Sequence, residues 1–373
     1  MAKQTDLPEP DRIAGAPHPR ETPVLCGQRA AEAQFLEAYS SGRLHHAWLI
    51  SGLRGVGKAT LAWRIARFLL AAPDTGAPQS LDIDPGHPVA RQLAAGAAPG
   101  LMVIRRGHDD KGRLKTVITV EEVRRLRGFF GLSASDGGRR VVIVDAADEM
   151  NTSASNAVLK LLEEPPPRAT LLLVAHQPAA LLPTIRSRCR SLRLAPLGAA
   201  DMAQALAQTG ADPGPDAAAL AELSGGSVGA AFSLVQDEGL ALYTELLGIL
   251  GGLPRLDRMR VLKLAESVAT RAAESRFRQL LALTELMMAR LARHGALQRP
   301  APVEAAEGEA ALLARLASTP DAACIWADAA QTLLARARAG AAVNLDPAGL
   351  VLDMLLGIEA RARGLEQEGT RTA

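Results

Sequence analysis

The stretch Gly52-Leu53-Arg54-Gly55-Val56-Gly57-Lys58-Ala59 decides the fold of this chain. Its three glycines allow a tight backbone turn whose N–H groups face inward, and a lysine follows them. The apolar run 47–50 before the turn predicts a buried strand, and Leu61, Ile65 and Phe68 after it predict a helix. Strand, glycine turn and helix in this order predict a P-loop, in which the helix N-terminus and Lys58 hold phosphate groups.

Ala59 stands where a P-loop calls for the Ser or Thr hydroxyl that holds Mg²⁺. The neighbouring hydroxyl, that of Thr60, lies about 100° further round the helix and is not expected to replace it. The P-loop fold is therefore predicted more firmly than nucleotide binding. A glycine-rich turn that binds nothing is the alternative.

A second motif, Val141-Val142-Ile143-Val144-Asp145, predicts a central parallel strand that ends in an aspartate. Such an aspartate can hold Mg²⁺ through water. Ala146 follows it where many P-loop ATPases carry a catalytic glutamate, so no carboxylate there polarises an attacking water. We expect Asp148 and Glu149 to be solvated acids on the next turn or helix.

These motifs predict a degenerate nucleotide site. Its residues are Gly52, Gly55, Gly57, Lys58 and Asp145. Whether ATP or ADP binds there as a structural ligand is left open by the sequence.

Length and composition limit the number of domains and the classes of function that the chain can have. The length of 373 residues predicts two or three domains. Hydrophobic residues make up 48% of the chain and aromatic residues only 3%, a composition that favours packed helices. A net charge of +2 gives no global nucleic-acid signal. Three widely spaced cysteines form neither a disulfide framework nor a C-x-x-C metal site, which predicts a reducing cytoplasm. No run of about 18 apolar residues predicts a membrane span.

Strand-like runs alternate with helical patterns as far as Pro196, which predicts a parallel sheet covered by helices on both faces. After Pro196 only helical periodicity recurs. We therefore expect an α/β domain followed by helical domains.

Two further stretches carry a family resemblance. Residues 156–166 read N-A-V-L-K-L-L-E-E-P-P, and residues 187–189 read Ser-Arg-Cys. Together they resemble the bacterial clamp-loader family of AAA+ proteins, in which S-R-C is the arginine-finger signature. The resemblance is strong over residues 1–195 and reaches 226–231. The later helices are similar to the family's oligomerising collar only in class and length.

The resemblance implies an AAA+ P-loop domain, a small helical lid and an all-α C-terminal collar. On this basis we divide the chain into five parts. They are a flexible N-terminal arm at 1–22, the AAA+ domain at 23–196, the lid at 197–250, the collar at 251–363 and a disordered tail at 364–373.

The chain departs from the family's motor subunits at every ATP contact compared. Those subunits carry Ser or Thr at the position of Ala59 and Glu at that of Ala146. They place an Arg where this chain has Gly229, and a polar Thr near Ala175 and His176. The resemblance therefore implies a non-hydrolysing stator subunit of the DNA polymerase III clamp loader.

Arg188, in contrast to those ATP-contact positions, matches the arginine of the family's S-R-C signature. The resemblance implies that it is an arginine finger acting in trans on the ATP of the neighbouring subunit. A planar guanidinium that is always charged suits that role. An ordinary surface ion pair is the alternative reading of Arg188.

The implied partners are the gamma/tau motor subunits and delta, in a five-membered ring held by collars. The sliding clamp and primer–template DNA are reached through that complex, and no membrane is involved. Many relatives insert a four-cysteine zinc module between the two nucleotide motifs. Residues 59–144 contain no cysteine, so we predict no zinc.

Two other function classes are weighed. The first is an active P-loop ATPase, either a clamp-loader motor or a branch-migration helicase. Ala59, Ala146 and Gly229 together argue against it. The second is an autonomous DNA-binding module, against which the near-neutral charge and few aromatic residues argue.

Overall fold

The structure is a computed structural model that describes residues 9–71, 78–131, 138–270, 273–299 and 303–372. Contacts divide the chain into two compact units. The first unit runs to Asp212 and also includes Gly226–Gly229. The second contains Pro213–Gly225 and continues from Ala230.

The first unit is built on a five-stranded parallel sheet with the strand order β2-β3-β4-β1-β5. The strands are β1 (Ala47–Ser51), β2 (Leu101–Arg105), β3 (Arg140–Asp145), β4 (Ala169–Ala175) and β5 (Arg190–Arg193). The β1, β3 and β4 strands are central, and their β-branched and leucine residues are buried on both faces. The predicted α/β fold, a parallel sheet covered by helices, is confirmed.

Helices connect these strands and cover the sheet. They are α1 (Arg29–Ser40), α2 (Lys58–Ala71), α3 (Pro88–Ala94), α4 (Val120–Gly131), α5 (Thr152–Glu163), α6 (Pro183–Arg186) and α7 (Ala199–Gln208). On one face, Val123 and Leu126 of α4 and Val158 and Leu162 of α5 join the strand residues in one core. The α2 helix begins at Lys58, directly after the glycine turn, as the motif predicts.

The remaining described elements are helical. They are α8 (Ala217–Leu223), α9 (Val228–Gln236), α10 (Gly239–Leu250), α11 (Arg258–Ser267), α12 (Glu274–Leu297), α13 (Glu309–Leu316), α14 (Pro320–Ala342) and α15 (Pro347–Thr372). Within the second unit α12 packs against α14, and α14 against α15. The two units do not separate a lid at 197–250, because α7 falls in the first unit and α8 in the second. A division into lid and collar stays a prediction.

Of the predicted flexible arm, residues 9–22 make specific contacts and residues 1–8 lie outside the described residues; the flexibility of the arm stays a prediction. His18 is buried, and so is the carboxylate of Asp11. Arg67 of α2 donates a hydrogen bond to the carbonyl of Arg20 at 2.6 Å. The segment is held because charged side chains of the sheet and of α2 bind its polar groups. Composition alone did not show those partners.

The disordered tail at 364–373 stays a prediction, although the described backbone there is helical. The last helix, α15, continues to Thr372 instead of ending at residue 363. Leu365, Glu366 and Gln367 are good helix formers, and no proline interrupts them. Among the helices of the described ranges, none has both the length and the apolar character that crossing a membrane requires.

Candidate functional site

The glycine turn joins the end of β1 to the start of α2. Gly55 has a φ of +78° and Gly57 a φ of +102°, a left-handed region that glycine adopts without strain. A Cβ at Gly55 would lie 2.5 Å from Ser227 Oγ, and one at Gly57 would lie 2.7 Å from Leu25 Cδ1. Glycine is therefore required at both positions by conformation and by space.

Lys58 is folded back onto the turn that precedes it. Its Nζ donates hydrogen bonds to the carbonyls of Gly52, at 2.8 Å, and Leu53, at 2.6 Å. The side chain is only 3% exposed. Burial lowers the pKa of Lys58 to about 8, against the opposing attraction of Asp145. The amine expected on a phosphate group is bound to the backbone of its own loop.

The start of α9 closes over the same turn. The N–H of Gly229 donates to the carbonyl of Gly55 at 3.0 Å. Ser227 Oγ donates to the carbonyl of Arg54 at 2.7 Å. A Cβ at Gly229 would lie 2.5 Å from Ile13 Cδ1 and 3.1 Å from Gly55 Cα. A side chain at this position, where the family's motors carry an Arg, would therefore require Ile13 and the Gly55 backbone to move.

Asp145 ends β3 and is buried. Its burial is the main reason that its pKa is raised to about 7, and the charge of Asp11 adds to the rise. Lys58 opposes the shift. Sequence reasoning found Asp145 but not Asp11, since nothing in the motif indicated that the N-terminal segment reaches the sheet.

The prediction that Asp148 and Glu149 are solvated acids is wrong. The Asp148 carboxylate accepts hydrogen bonds from the backbone N–H groups of His176, at 3.0 Å, and Gln177, at 2.8 Å. It thereby fixes the chain just beyond β4. Glu149 forms an ion pair with Arg106 at 2.7 Å. The neighbouring positions of β3 and β4 in the sheet were the available signal for the Asp148 contact.

These contacts do not fit a bound nucleotide as they stand. The Lys58 amine is bound to two carbonyls, Ala59 offers no hydroxyl, and the N–H of Gly229 holds the loop closed at Gly55. Among the residues that the structure describes, no group of three or more His, Cys, Asp or Glu side chains could hold a metal ion. The absence of zinc remains a prediction.

Arg188 lies between α6 and β5, away from the motif residues in sequence. Its guanidinium donates to the carbonyl of Thr184 at 3.1 Å and forms an ion pair with Glu163 at 3.1 Å. The side chain is 38% exposed. Burial raises the pKa of the Cys189 thiol to about 12, so this cysteine is a packing residue beside the arginine.

Comparison with known proteins identifies the family to which this chain belongs. A family model described as "DNA polymerase III, delta subunit" matches residues 27–198. The DNA polymerase III subunit delta' of Pseudomonas aeruginosa is 36% identical over 230 residues, which cover 61% of this chain and 67% of that protein. This chain belongs to the DNA polymerase III subunit delta' family. The Escherichia coli delta' subunit is 32% identical over 206 residues, covering 55% of this chain and 59% of the relative.

More distant similarity extends beyond the delta' family. The DNA polymerase III subunit gamma/tau of Mycobacterium tuberculosis is 30% identical over 166 residues, covering 44% of this chain and 27% of that protein. A gamma subunit-related protein of Thermotoga maritima has a TM-score of 0.33 at 17% identity, covering 88% of this chain and 97% of that one. That structural likeness is too distant to support an inference.

Proposed function

We propose that this chain is a non-hydrolysing stator subunit of the DNA polymerase III clamp loader. It supplies Arg188 to the ATP held by an adjacent subunit. The observation that carries the proposal is a contrast within one domain. The Lys58 amine is bound to its own loop beside Ala59, whereas Arg188 stands partly exposed at the surface.

The chemistry of Arg188 supports a role in trans. Its guanidinium stays charged, and its planar donors match the oxygens of a phosphoryl group. In the isolated chain those donors are held by Glu163 and Thr184. Exchange of this half-exposed ion pair for a neighbour's phosphate costs little, because surface ion pairs contribute only about 0–1 kcal/mol.

The proposed partners follow from the names of the relatives, which are delta' and gamma/tau subunits of DNA polymerase III. We place this chain beside a gamma/tau subunit and in a complex with delta. The helices of 251–363 would form the oligomerising collar. The sliding clamp and primer–template DNA would be met through the complex.

An active ATPase is the second candidate, favoured by the retention of Lys58 and Asp145. The two candidates are separated by ATP turnover of the purified chain, with and without primed DNA. We expect no turnover, because neither the Mg²⁺ hydroxyl nor the general base is present. ATP turnover that disappears in Lys58→Ala would contradict the stator proposal and support the active-ATPase candidate.

A further inference from the structure

A cavity of about 490 Å³ opens in the first unit beside β2, bounded by α2, α3 and α4. Four arginines line it, namely Arg20, Arg105, Arg106 and Arg125. The one acidic side chain in its lining is Glu122. The wall is therefore rich in hydrogen-bond donors, although its positive charge is partly offset, since Arg20 also pairs with Glu9 and Glu21 and Arg125 with Glu122. None of the sequence motifs drew attention to it.

The carboxylates that bind two of these arginines lie outside the lining. Arg105 is held by Glu9 at 2.6 Å and Asp11 at 2.8 Å, and Arg106 by Glu149 at 2.7 Å. A guanidinium has five N–H donors, so one or two carboxylates leave part of it unsatisfied. These ion pairs restrict the orientation of the two guanidinium groups, as outer-sphere groups orient ligands in binding sites.

Trp63 of α2 supplies an independent observation. It lines the cavity and is only 4% exposed. Its indole N–H has no hydrogen-bond partner among the described residues. A buried indole N–H normally finds an acceptor, and a ligand in the cavity would supply one after a small shift of the side chains that shield this nitrogen.

Leu93, Leu101 and Val103 form an apolar part of the wall, beside His108 and three small residues. A volume of this size is typical of a site for a small organic ligand. We propose that the cavity binds a small phosphorylated molecule of the nucleoside diphosphate class. The arginines and the Trp63 N–H take the phosphate oxygens, and the apolar wall takes the nucleoside. This site is separate from the glycine turn and independent of the stator proposal.

The test uses titration calorimetry of the full chain with ADP, UDP and inorganic pyrophosphate. The key variant is Arg125→Gln, and its matched control is Arg124→Gln. Both arginines lie on α4, are 63–64% exposed and pair with a glutamate three residues earlier, but only Arg125 lines the cavity. We expect Arg125→Gln to weaken ADP binding roughly tenfold, as loss of a charge-assisted hydrogen bond does, and Arg124→Gln to leave it unchanged.

Two further variants separate this site from the glycine turn. Trp63→Phe, which removes the indole N–H and keeps an aromatic ring, should weaken ADP binding several-fold, roughly as a lost hydrogen bond does. Lys58→Ala should leave ADP binding as it is. Circular dichroism and a thermal melt check that each variant is folded.

Several outcomes would overturn the assignment. They are no binding of any probe, equal effects of Arg124→Gln and Arg125→Gln, and loss of binding in Lys58→Ala with retention in Arg125→Gln. Pyrophosphate that binds as tightly as ADP would overturn the nucleoside part, because the apolar wall would then contribute nothing.

Discussion

At the scale of single residues, two members of the predicted nucleotide site belong to the protein core. Lys58 and Asp145 are both buried, and burial drives their pKa values toward neutrality from opposite sides, to about 8 and about 7. Each charge is therefore costly to the folded state. A P-loop kept for phosphate binding would instead present its lysine to the ligand.

Asp145 should make the stability of the protein depend on pH. Its pKa is about 7 in the folded chain and about 3.9 when unfolded. As pH rises from 4 to 7 the unfolded state gives up a proton that the folded state retains, so the free energy of unfolding falls. Asn carries no such proton. We expect the stability of Asp145→Asn relative to the parent to increase across this window by on the order of 2–4 kcal/mol.

Urea unfolding of both proteins at several pH values between 4 and 7.5 measures this difference. Asp110→Asn, at an exposed position, is the matched control and should show no such trend. A stability difference between Asp145→Asn and the parent that stays constant with pH would show that the pKa of Asp145 is the same in the folded and unfolded states.

Prediction from sequence was good for the glycine turn because each of its residues has a local physical requirement. Gly55 and Gly57 need left-handed backbone, and Lys58 starts the helix. It failed for Asp11 and Asp148, whose contacts join segments that are distant in the chain. No local pattern encodes such partners.

At the scale of elements, a buried polar cluster joins four helices of the second unit. Glu309 of α13 is fully buried and accepts hydrogen bonds from Tyr243 Oη of α10, at 2.6 Å, and from the backbone N–H of Ala305, at 2.8 Å. Arg290 of α12 forms ion pairs with Glu309 and with Glu222 of α8. Burial and the neighbouring carboxylate raise the pKa of Tyr243, which keeps its hydroxyl protonated as a donor.

Removal of Glu309 should strongly destabilise the second unit. In Glu309→Ala, the buried Arg290 would keep only Glu222 as an ionic partner, and the Tyr243 hydroxyl would lose its acceptor. We expect a loss of about 3–5 kcal/mol in the free energy of unfolding. Glu307→Ala, at an exposed position two residues earlier, should change it by less than about 0.5 kcal/mol.

Denaturant unfolding followed by circular dichroism compares these two variants with the parent. Equal stability of Glu309→Ala and Glu307→Ala would mean that water or a repacked side chain replaces the carboxylate. The cluster would then contribute nothing to holding the helices together.

Most elements could be predicted from periodicity, and the exceptions have physical reasons. The strands at 47–50 and 141–145 were predicted because a central parallel strand reads as an apolar run. The α10 helix lies in the stretch 197–250 predicted as a helical lid, but its own bounds were not predicted, because its strongly apolar sequence carries no capping residue that marks a start or an end. In such segments, tertiary contacts rather than local sequence preference decide where the helix begins and ends.

At the scale of the whole molecule, the chain combines a closed glycine turn with an accessible arginine. Both features lie in the part of the first unit that the delta-subunit family model matches. The sequence predicted each from its motif. Only the contacts of Lys58 and Arg188 indicate what the two positions do in the isolated chain.

The most direct test of the stator proposal is single-turnover ATP hydrolysis by the reconstituted complex on primed DNA, with Arg188→Ala in this chain. Arg186→Ala, on an exposed residue of the same segment, is the control. Assembly should be unchanged in both, as seen by co-elution. In Arg188→Ala the ATP beside this chain should be hydrolysed roughly 10³-fold more slowly, the usual worth of an arginine finger, and Arg186→Ala should match the parent. Unchanged hydrolysis in an assembled Arg188→Ala complex would contradict the proposal.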